Sequence, residues 1–176
     1  TRETTQKITL PSDLGLKLWN IKFASPLFNA AGMFKEGEGY ELAYRQGAGS
    51  FLAGTVTPQP RWGNAKYGVV HPFLAYPRSK TSLNWLGLPN SGAGAIAQKI
   101  NSINKHKDFP IGVSIASDGE EPKSMEELIQ TFKLFERSQV DYIELNESCP
   151  NVDHEGRQLN ILDNNFIGRL EFISKN

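Results

Sequence analysis

Residues 140–151 read VDYIELNESCPN, an apolar run that changes abruptly into a polar segment. The apolar part predicts a buried strand, and the polar part contains Cys149, the only cysteine among 176 residues. A thiol can remove a proton from a substrate, and the carboxamides of Asn146 and Asn151 can hold a flat polar molecule through paired donors and acceptors. Pro150 stiffens the turn that presents the thiol. The alternative interpretation is a small core cysteine at the end of a strand.

Strand-like runs recur along the chain and alternate with helical patterns. The predicted strands are residues 14–23 (a strand or short hairpin), 26–32, 50–57, 110–116 and 140–145. The predicted helices are residues 38–46, 92–105, a segment that begins with a capping box at Ser124-Met125-Glu126-Glu127, and about 166–174. Gly47 stands where the first helix should end. This alternation is typical of a parallel sheet, either a (β/α) barrel or an open doubly wound sheet.

Small and polar residues at the strand ends favour the barrel. Dinucleotide-binding folds need a Gly-x-Gly-x-x-Gly turn directly after a strand, and this chain lacks one. In barrels, working residues gather at the C-terminal ends of strands. Ala30-Ala31-Gly32, Gly54-Thr55 and Asn146–Asn151 all occupy such ends. We therefore predict an α/β fold, a (β/α)8 TIM barrel with about the first four βα units in this chain, as a single domain over residues 1–176.

Residues 58–89 are rich in Pro, Gly and Asn and predict a long, mostly irregular region at the active site.

The overall composition limits the classes of molecule to which the protein is expected to bind. Lys plus Arg and Asp plus Glu number 19 each, which argues against nucleic acid as the main partner. A lone cysteine fits a reducing cytoplasm, and membrane association would need a segment before Thr1. The three histidines show no paired metal spacing, so no metal site is predicted.

Six segments, in chain order, carry a more specific signal. They read FNAAGMFKEG (28–37), GTVTP (54–58), GN (63–64), NWLGLPN (84–90), IGVSI (111–115) and NESCPN (146–151). Together they resemble the dihydroorotate dehydrogenases, the FMN-containing (β/α)8 barrels of pyrimidine biosynthesis. The resemblance implies an oxidoreductase that binds FMN and converts dihydroorotate to orotate, and it leaves a homodimer open.

The resemblance also implies a role for each matched residue. Cys149 would be the general base that takes the proton from C5 of dihydroorotate, on the face opposite the flavin. The implied substrate-binding residues are Lys35, Asn84, Leu86, Gly87, Leu88, Asn146 and Asn151. The implied FMN-binding residues are Ala30, Ala31, Gly32, Lys35, Gly54, Thr55, Asn84, Ser114 and Asn146. Asn64 and Asn90 are interpreted as ordinary turn residues.

The matched features are mixed between the two classes of the family. Lys35 and the Gly-Thr-Val-Thr-Pro segment resemble the membrane-associated, quinone-using class, whereas Cys149 resembles the soluble class. The electron acceptor therefore stays open between fumarate, NAD and a quinone. The family's barrel has eight strands, so the remaining half is expected in the same or another chain. The alternatives are a related FMN barrel acting on another pyrimidine and a non-catalytic half-barrel that serves as a scaffold.

Overall fold

The computed structural model describes residues 7–64, 72–117, 123–147, 149, 151 and 164–175. After a 3₁₀ turn at Ser12–Leu14, the elements are β1 (Leu16–Leu18), β2 (Ile21–Phe23), α1 (Tyr40–Arg45), β3 (Phe51–Val56), β4 (Phe73–Tyr76), β5 (Thr81–Asn84), α2 (Ala93–Asn101), β6 (Ile111–Ile115), α3 (Lys123–Glu136), β7 (Tyr142–Leu145) and α4 (Asn164–Lys175). None of the described helices combines the length and apolarity needed to cross a membrane.

The central feature is a parallel three-stranded sheet in the order β3-β6-β7. Its register aligns Val56, Ile115 and Leu145, so the three strands end at one edge. Alternate residues of a strand point to the same face of a sheet, so each face has its own set of side chains. One of the two faces packs on the helices. The core on that face includes Ile111, Val113 and Ile115 from β6, Ile96 and Ile100 from α2, and Leu128 and Phe135 from α3. This packing holds the strand ends in fixed positions, which a binding site requires.

The opposite face of the sheet carries Tyr142. Its hydroxyl lies 2.9 Å from Ser50 Oγ, and its ring meets Phe23 at 5.8 Å and Phe28 at 6.5 Å between centroids, both edge to face. Phe23 belongs to the antiparallel β1–β2 hairpin. The hairpin therefore packs through Phe23 against the N-terminal end of the parallel strands, opposite the edge at which the aligned strands end.

Most of the predicted elements are confirmed, with shorter bounds except for the last helix, which is longer than predicted. Residues 14–23 form the β1–β2 hairpin, and the strands predicted at 50–57, 110–116 and 140–145 become β3, β6 and β7. The helices predicted at 38–46, 92–105 and 166–174 become α1, α2 and α4, and the chain leaves α1 before Gly47 as expected.

The strand predicted at 26–32 is wrong. This segment is not a strand, and Leu27 is 77% exposed. The side chain of Asn29 bonds both backbone groups of Leu52 on β3, with Nδ2 to the carbonyl at 2.7 Å and Oδ1 to the amide at 3.1 Å. A side chain thus takes the place that a neighbouring backbone would occupy in a ladder. Among the described residues, the sheet consequently has three parallel strands where about four were expected.

Two other local predictions need correction. Ser124 does not cap α3, because the helix already includes Lys123 and Ser124 is fully buried, with no hydrogen-bond partner for its hydroxyl among the described residues. Burial of Ser124 against the core is therefore favoured over a capping hydrogen bond. Region 58–89 is less irregular than predicted, because β4 and β5 form a hairpin around a turn closed by Lys80 N donating to Pro77 O at 3.3 Å. Residues 65–71 of this region lie outside the described part.

Candidate active site

The C-terminal ends of the three parallel strands are joined by polar side chains. Thr55 Oγ1 lies 3.1 Å from Ser114 Oγ, and Asn146 Nδ2 donates to Thr55 Oγ1 at 2.7 Å. The backbone amide of Asn146 also donates to Ile115 O at 2.8 Å, which continues the pairing of β7 with β6. Thr55 and Ser114 are buried, and buried hydroxyls are costly unless they are paired. The three side chains therefore hold one another in place.

The backbone at Gly54 connects this row of polar side chains, Thr55, Ser114 and Asn146, to the segment after residue 30. Gly54 has φ +103°, and a Cβ there would lie 2.4 Å from Ser114 O, so the position requires glycine. Gly54 N donates to Lys35 O at 3.0 Å, and Gly32 N donates to Gly54 O at 2.5 Å. These bonds set Gly32 and Lys35 beside the end of β3. Ala30 and Gly32 are exposed and Ala31 is half-buried, so this wall presents backbone and small side chains.

Lys35 is the cation of the site, and Cys149 influences it electrostatically. Burial lowers the pKa of the Lys35 ammonium from its usual 10.5, while the nearby Cys149, Glu36 and Glu38 act in the opposite direction. The thiol of Cys149 is half-buried and lies within electrostatic reach of Lys35. No ion pair or side-chain hydrogen bond joins Lys35 to another described residue. A half-buried cation that no described residue engages through an ion pair or a hydrogen bond is suited to binding an anion.

A second polar group lies around residue 151. Asn151 Nδ2 donates to Asn84 Oδ1 at 3.0 Å, and the carbonyl of Asn151 accepts from Asn64 Nδ2 at 2.8 Å. Asn84 ends β5, and Gly87 (φ +69°, buried) and Leu88 (φ +55°) then turn the chain with two consecutive left-handed residues, so residues 86–88 are called the 86–88 turn below. The hairpin and the segment after β7 are thereby joined directly.

Comparison with known proteins identifies the family. A family model described as dihydroorotate dehydrogenase matches residues 13–165. The chain belongs to the dihydroorotate dehydrogenase family. It is 31% identical over 141 residues to the dihydroorotate dehydrogenase (quinone) of Synechococcus sp. strain JA-3-3Ab, covering 79% of this chain and 36% of that protein. It is 32% identical over 158 residues to the corresponding protein of Rippkaea orientalis, covering 85% of this chain and 41% of that protein.

Solved structures support the same fold. A ligand-free DHODH from Eimeria tenella matches with a TM-score of 0.74 at 19% identity, over 94% of this chain and 46% of that chain. The complex of the same organism's DHODH with ferulenol matches with a TM-score of 0.71 at 21% identity, over 82% and 39%. The predicted fold class is confirmed as part of a TIM barrel. The chain spans about two fifths of the length of the relatives that it matches.

The residues assigned by resemblance to the dihydroorotate dehydrogenases fall into two groups. Thr55, Ser114 and Asn146 form one by direct bonds, with Gly54, Gly32 and Lys35 attached through the backbone. Asn84 and Asn151 form the other, beside the 86–88 turn. Ala30 and Ala31 lie on the intervening wall. Ser148 and Pro150 of the NESCPN motif lie outside the described residues. The roles of all these residues remain predictions.

Several contacts near the family motifs were missed by the sequence analysis. Asn64 bonds Asn151, and an ion pair joins Arg169 of α4 to Glu147, two residues before Cys149. The turn interpretation of Asn90 understates its role, since it is buried, donates to Thr57 Oγ1 at 2.9 Å and accepts from Gly92 N at 2.8 Å. In the described part of the chain, His, Cys, Asp and Glu do not gather in threes around a potential metal position.

Thr55→Val tests the row of polar side chains. Valine has nearly the same shape but loses the bonds to Ser114 and Asn146, so the buried Ser114 hydroxyl loses that partner. We expect the free energy of unfolding to fall by about 1–3 kcal/mol, measured by urea denaturation. Thr131→Val is the matched control, because Thr131 is equally buried but bonds only the helix carbonyl of Glu127 at 2.8 Å. Equal losses in the free energy of unfolding would show that the hydrogen bonds among the three strand ends stabilise the protein no more than the single helix bond of Thr131 does.

Proposed function

We propose that this protein is an FMN-dependent dihydroorotate dehydrogenase in which Cys149 is the general base. The observation that carries the proposal is that the half-buried thiol of Cys149 lies within electrostatic reach of the half-buried Lys35 ammonium, whose backbone carbonyl accepts from Gly54 N at 3.0 Å at the end of β3. Membership of the family supports the reaction, and the amides of Asn84, Asn146 and Asn151 support a flat polar substrate. We propose a cytoplasmic location, as the lone cysteine suggests.

The residues at the strand ends fit a flavin. The backbone at Gly32 and Gly54 and the small side chains of Ala30 and Ala31 leave room for a flat ring to approach the wall. Thr55, Ser114 and Asn146 supply hydroxyl and amide groups beside it. The Lys35 ammonium would stabilise negative charge on the ring. When bound, FMN supplies the capacity to accept the two electrons of the oxidation.

The remaining groups fit dihydroorotate. Its carboxylate would pair with the Lys35 ammonium, and its ring amides would exchange hydrogen bonds with Asn84, Asn146 and Asn151. The Cys149 thiolate would then take the proton from C5 of the substrate. A buried amide that lacks its partner is costly, so this arrangement selects against substrates without matching polar groups. The turn at 86–88 would bound the substrate from the hairpin side.

We further propose that the barrel is completed by additional elements, in the same polypeptide or a second one. The chain spans about two fifths of its relatives, and the three-stranded sheet leaves β3 and β7 as edge strands among the described elements. Large apolar side chains in the segment beside β3, including Leu27 and Met33, are exposed. Further strands and helices would cover them. A second copy of the chain is the alternative cover for these side chains. A measurement of the native mass would distinguish the two arrangements.

The decisive experiment uses the native protein purified with every chain that accompanies it. We expect a yellow protein with about one FMN per active site that oxidises dihydroorotate. The assay should compare dihydroorotate with dihydrouracil, and should supply fumarate, NAD or a quinone, with the quinone tested first because the relatives are named for it. A protein without flavin would support the scaffold alternative. Flavin with turnover of dihydrouracil alone would support a related enzyme on another pyrimidine.

A further inference from the structure

We propose that Asn64 is a positioning residue for the substrate site, an inference that rests on the proposed function. Its side chain and backbone contact both segments to which substrate binding is assigned. Asn64 Nδ2 donates to the carbonyl of Asn151 at 2.8 Å, and Asn64 N donates to the carbonyl of Leu86 at 2.9 Å. Asn64 does not itself belong to the residues expected to touch the substrate.

The fit between Asn64 and Gly87 is close. Gly87 has φ +69°, and a Cβ at this position would lie 2.6 Å from Cγ of Asn64. A Cβ at Gly63 would likewise lie 2.3 Å from Leu86 O. The 63–64 segment and the 86–88 turn therefore interlock, and neither glycine can be replaced without moving the other segment. Arg61 adds a bond from Nε to Gly87 O at 3.3 Å.

These contacts form a closed path through the residues to which substrate binding is assigned. Asn64 holds Leu86 and Gly87 on one side and the carbonyl of Asn151 on the other. Asn151 in turn donates to Asn84 Oδ1, which lies two residues before Leu86. Cys149 is two residues before Asn151, so we expect the same path to restrain the thiol. Asn64 thus fixes the spacing between the hairpin side of the site and the segment after β7.

The test uses Asn64→Ala and Asn64→Asp in the native holoenzyme. Asn64→Ala removes the bond and the contact with Gly87. Asn64→Asp keeps the shape but turns the donor toward Asn151 O into an acceptor and adds a negative charge, so the alkylation rate tests the hydrogen bond in this variant, while Asn64→Ala tests orotate binding without a new charge. Asn101→Ala is the matched control, because Asn101 Oδ1 accepts from the backbone of Gln139 at 2.9 Å, a loop-holding bond of the same kind outside the site.

Two readouts are needed. We expect both Asn64 variants to weaken orotate binding about tenfold, followed by the flavin absorbance, and to raise KM more than they lower kcat. We also expect iodoacetamide to alkylate Cys149, the only cysteine, several times faster than in the parent protein. Flavin content and melting temperature should match those of Asn101→Ala. The alkylation rate requires neither substrate nor turnover.

The outcomes separate the inference from the proposed function. If the parent protein does not bind orotate but the variants accelerate alkylation, the proposed substrate is wrong and the positioning role stands. Unchanged orotate binding and unchanged alkylation in Asn64→Asp would overturn the positioning role. Loss of flavin in proportion to the loss of orotate binding would also overturn it, because Asn64 would then support the fold generally. If Asn64→Ala does not fold, the isosteric Asn64→Asp decides the matter.

Discussion

Replacing Cys149 by alanine should lower the turnover of dihydroorotate by about 10²- to 10⁴-fold, the range that a general base usually contributes. The alanine side chain cannot accept the C5 proton, whereas the backbone and hydroxyl groups proposed to hold the flavin are untouched. FMN content should therefore stay near that of the parent protein. Steady-state kcat with dihydroorotate and the ratio of flavin absorbance to protein absorbance measure the two effects.

Cys149→Ser provides the matched comparison. A serine hydroxyl loses its proton less readily than a thiol, so this variant should keep part of the activity with its optimum at higher pH. Unchanged kcat in Cys149→Ala would show that another group takes the proton. Loss of flavin from both variants would instead indicate that the thiol contributes to holding the cofactor or the fold.

The elements that were predicted correctly are those whose pattern is decided within the element. Residues 111–115 are buried along their whole length between β3 and β7, and their large side chains, Ile111, Val113 and Ile115, are apolar as expected for such a strand. Helix α2 was predicted because its isoleucines recur at helical spacing, and Ile96 and Ile100 indeed reach the core. The alternation of these elements was sufficient to predict the parallel sheet.

The errors arose where a distant contact overrode the local pattern. Residues 26–32 have a strand-like composition, but Asn29 bonds β3 through its side chain, a geometry that a single sequence does not reveal. Ser124 and Glu127 have the spacing of a capping box, but Ser124 is turned into the core. Tertiary burial is worth more than one capping bond, so the helix includes Ser124 instead of starting after it.

The site shows the same division. The polar residues at strand ends could be predicted, because the ends of parallel strands meet at one edge whatever the detailed packing. The bond between Asn64 and Asn151 could not, since it joins residues 87 positions apart and depends on how the hairpin folds over the site. The Gly63-Asn64 pair offered only a turn signal, which does not indicate the partner of the side chain.

Replacing Lys35 by methionine should weaken orotate binding about 100-fold, because a charge-assisted bond to the carboxylate is lost from a half-buried position. The flavin-absorbance titration that measures this constant also reports whether FMN is retained. Lys107→Met is the control, because Lys107 is an exposed lysine in the loop before β6. Equal orotate affinity in the two variants would contradict the assignment of Lys35 to the carboxylate.

At pH 7 the Lys35→Met variant should be at least as stable as the parent protein, although it should bind orotate more weakly. Burial lowers the pKa of Lys35 below its usual 10.5, so between the two values the unfolded chain binds more protons than the folded chain. The free energy of unfolding therefore rises with pH across that window in the parent protein, and this rise should be absent in Lys35→Met. Below the folded pKa the parent carries the full cost of a half-buried charge, which methionine avoids. Urea denaturation of the ligand-free protein at pH 7 and near pH 10 should thus show a variant that is at least as stable as the parent at pH 7, with the difference shrinking at alkaline pH. A variant that is less stable at pH 7 would mean that the ammonium has a stabilising partner within the protein, and its availability for an anionic substrate would then have to be abandoned.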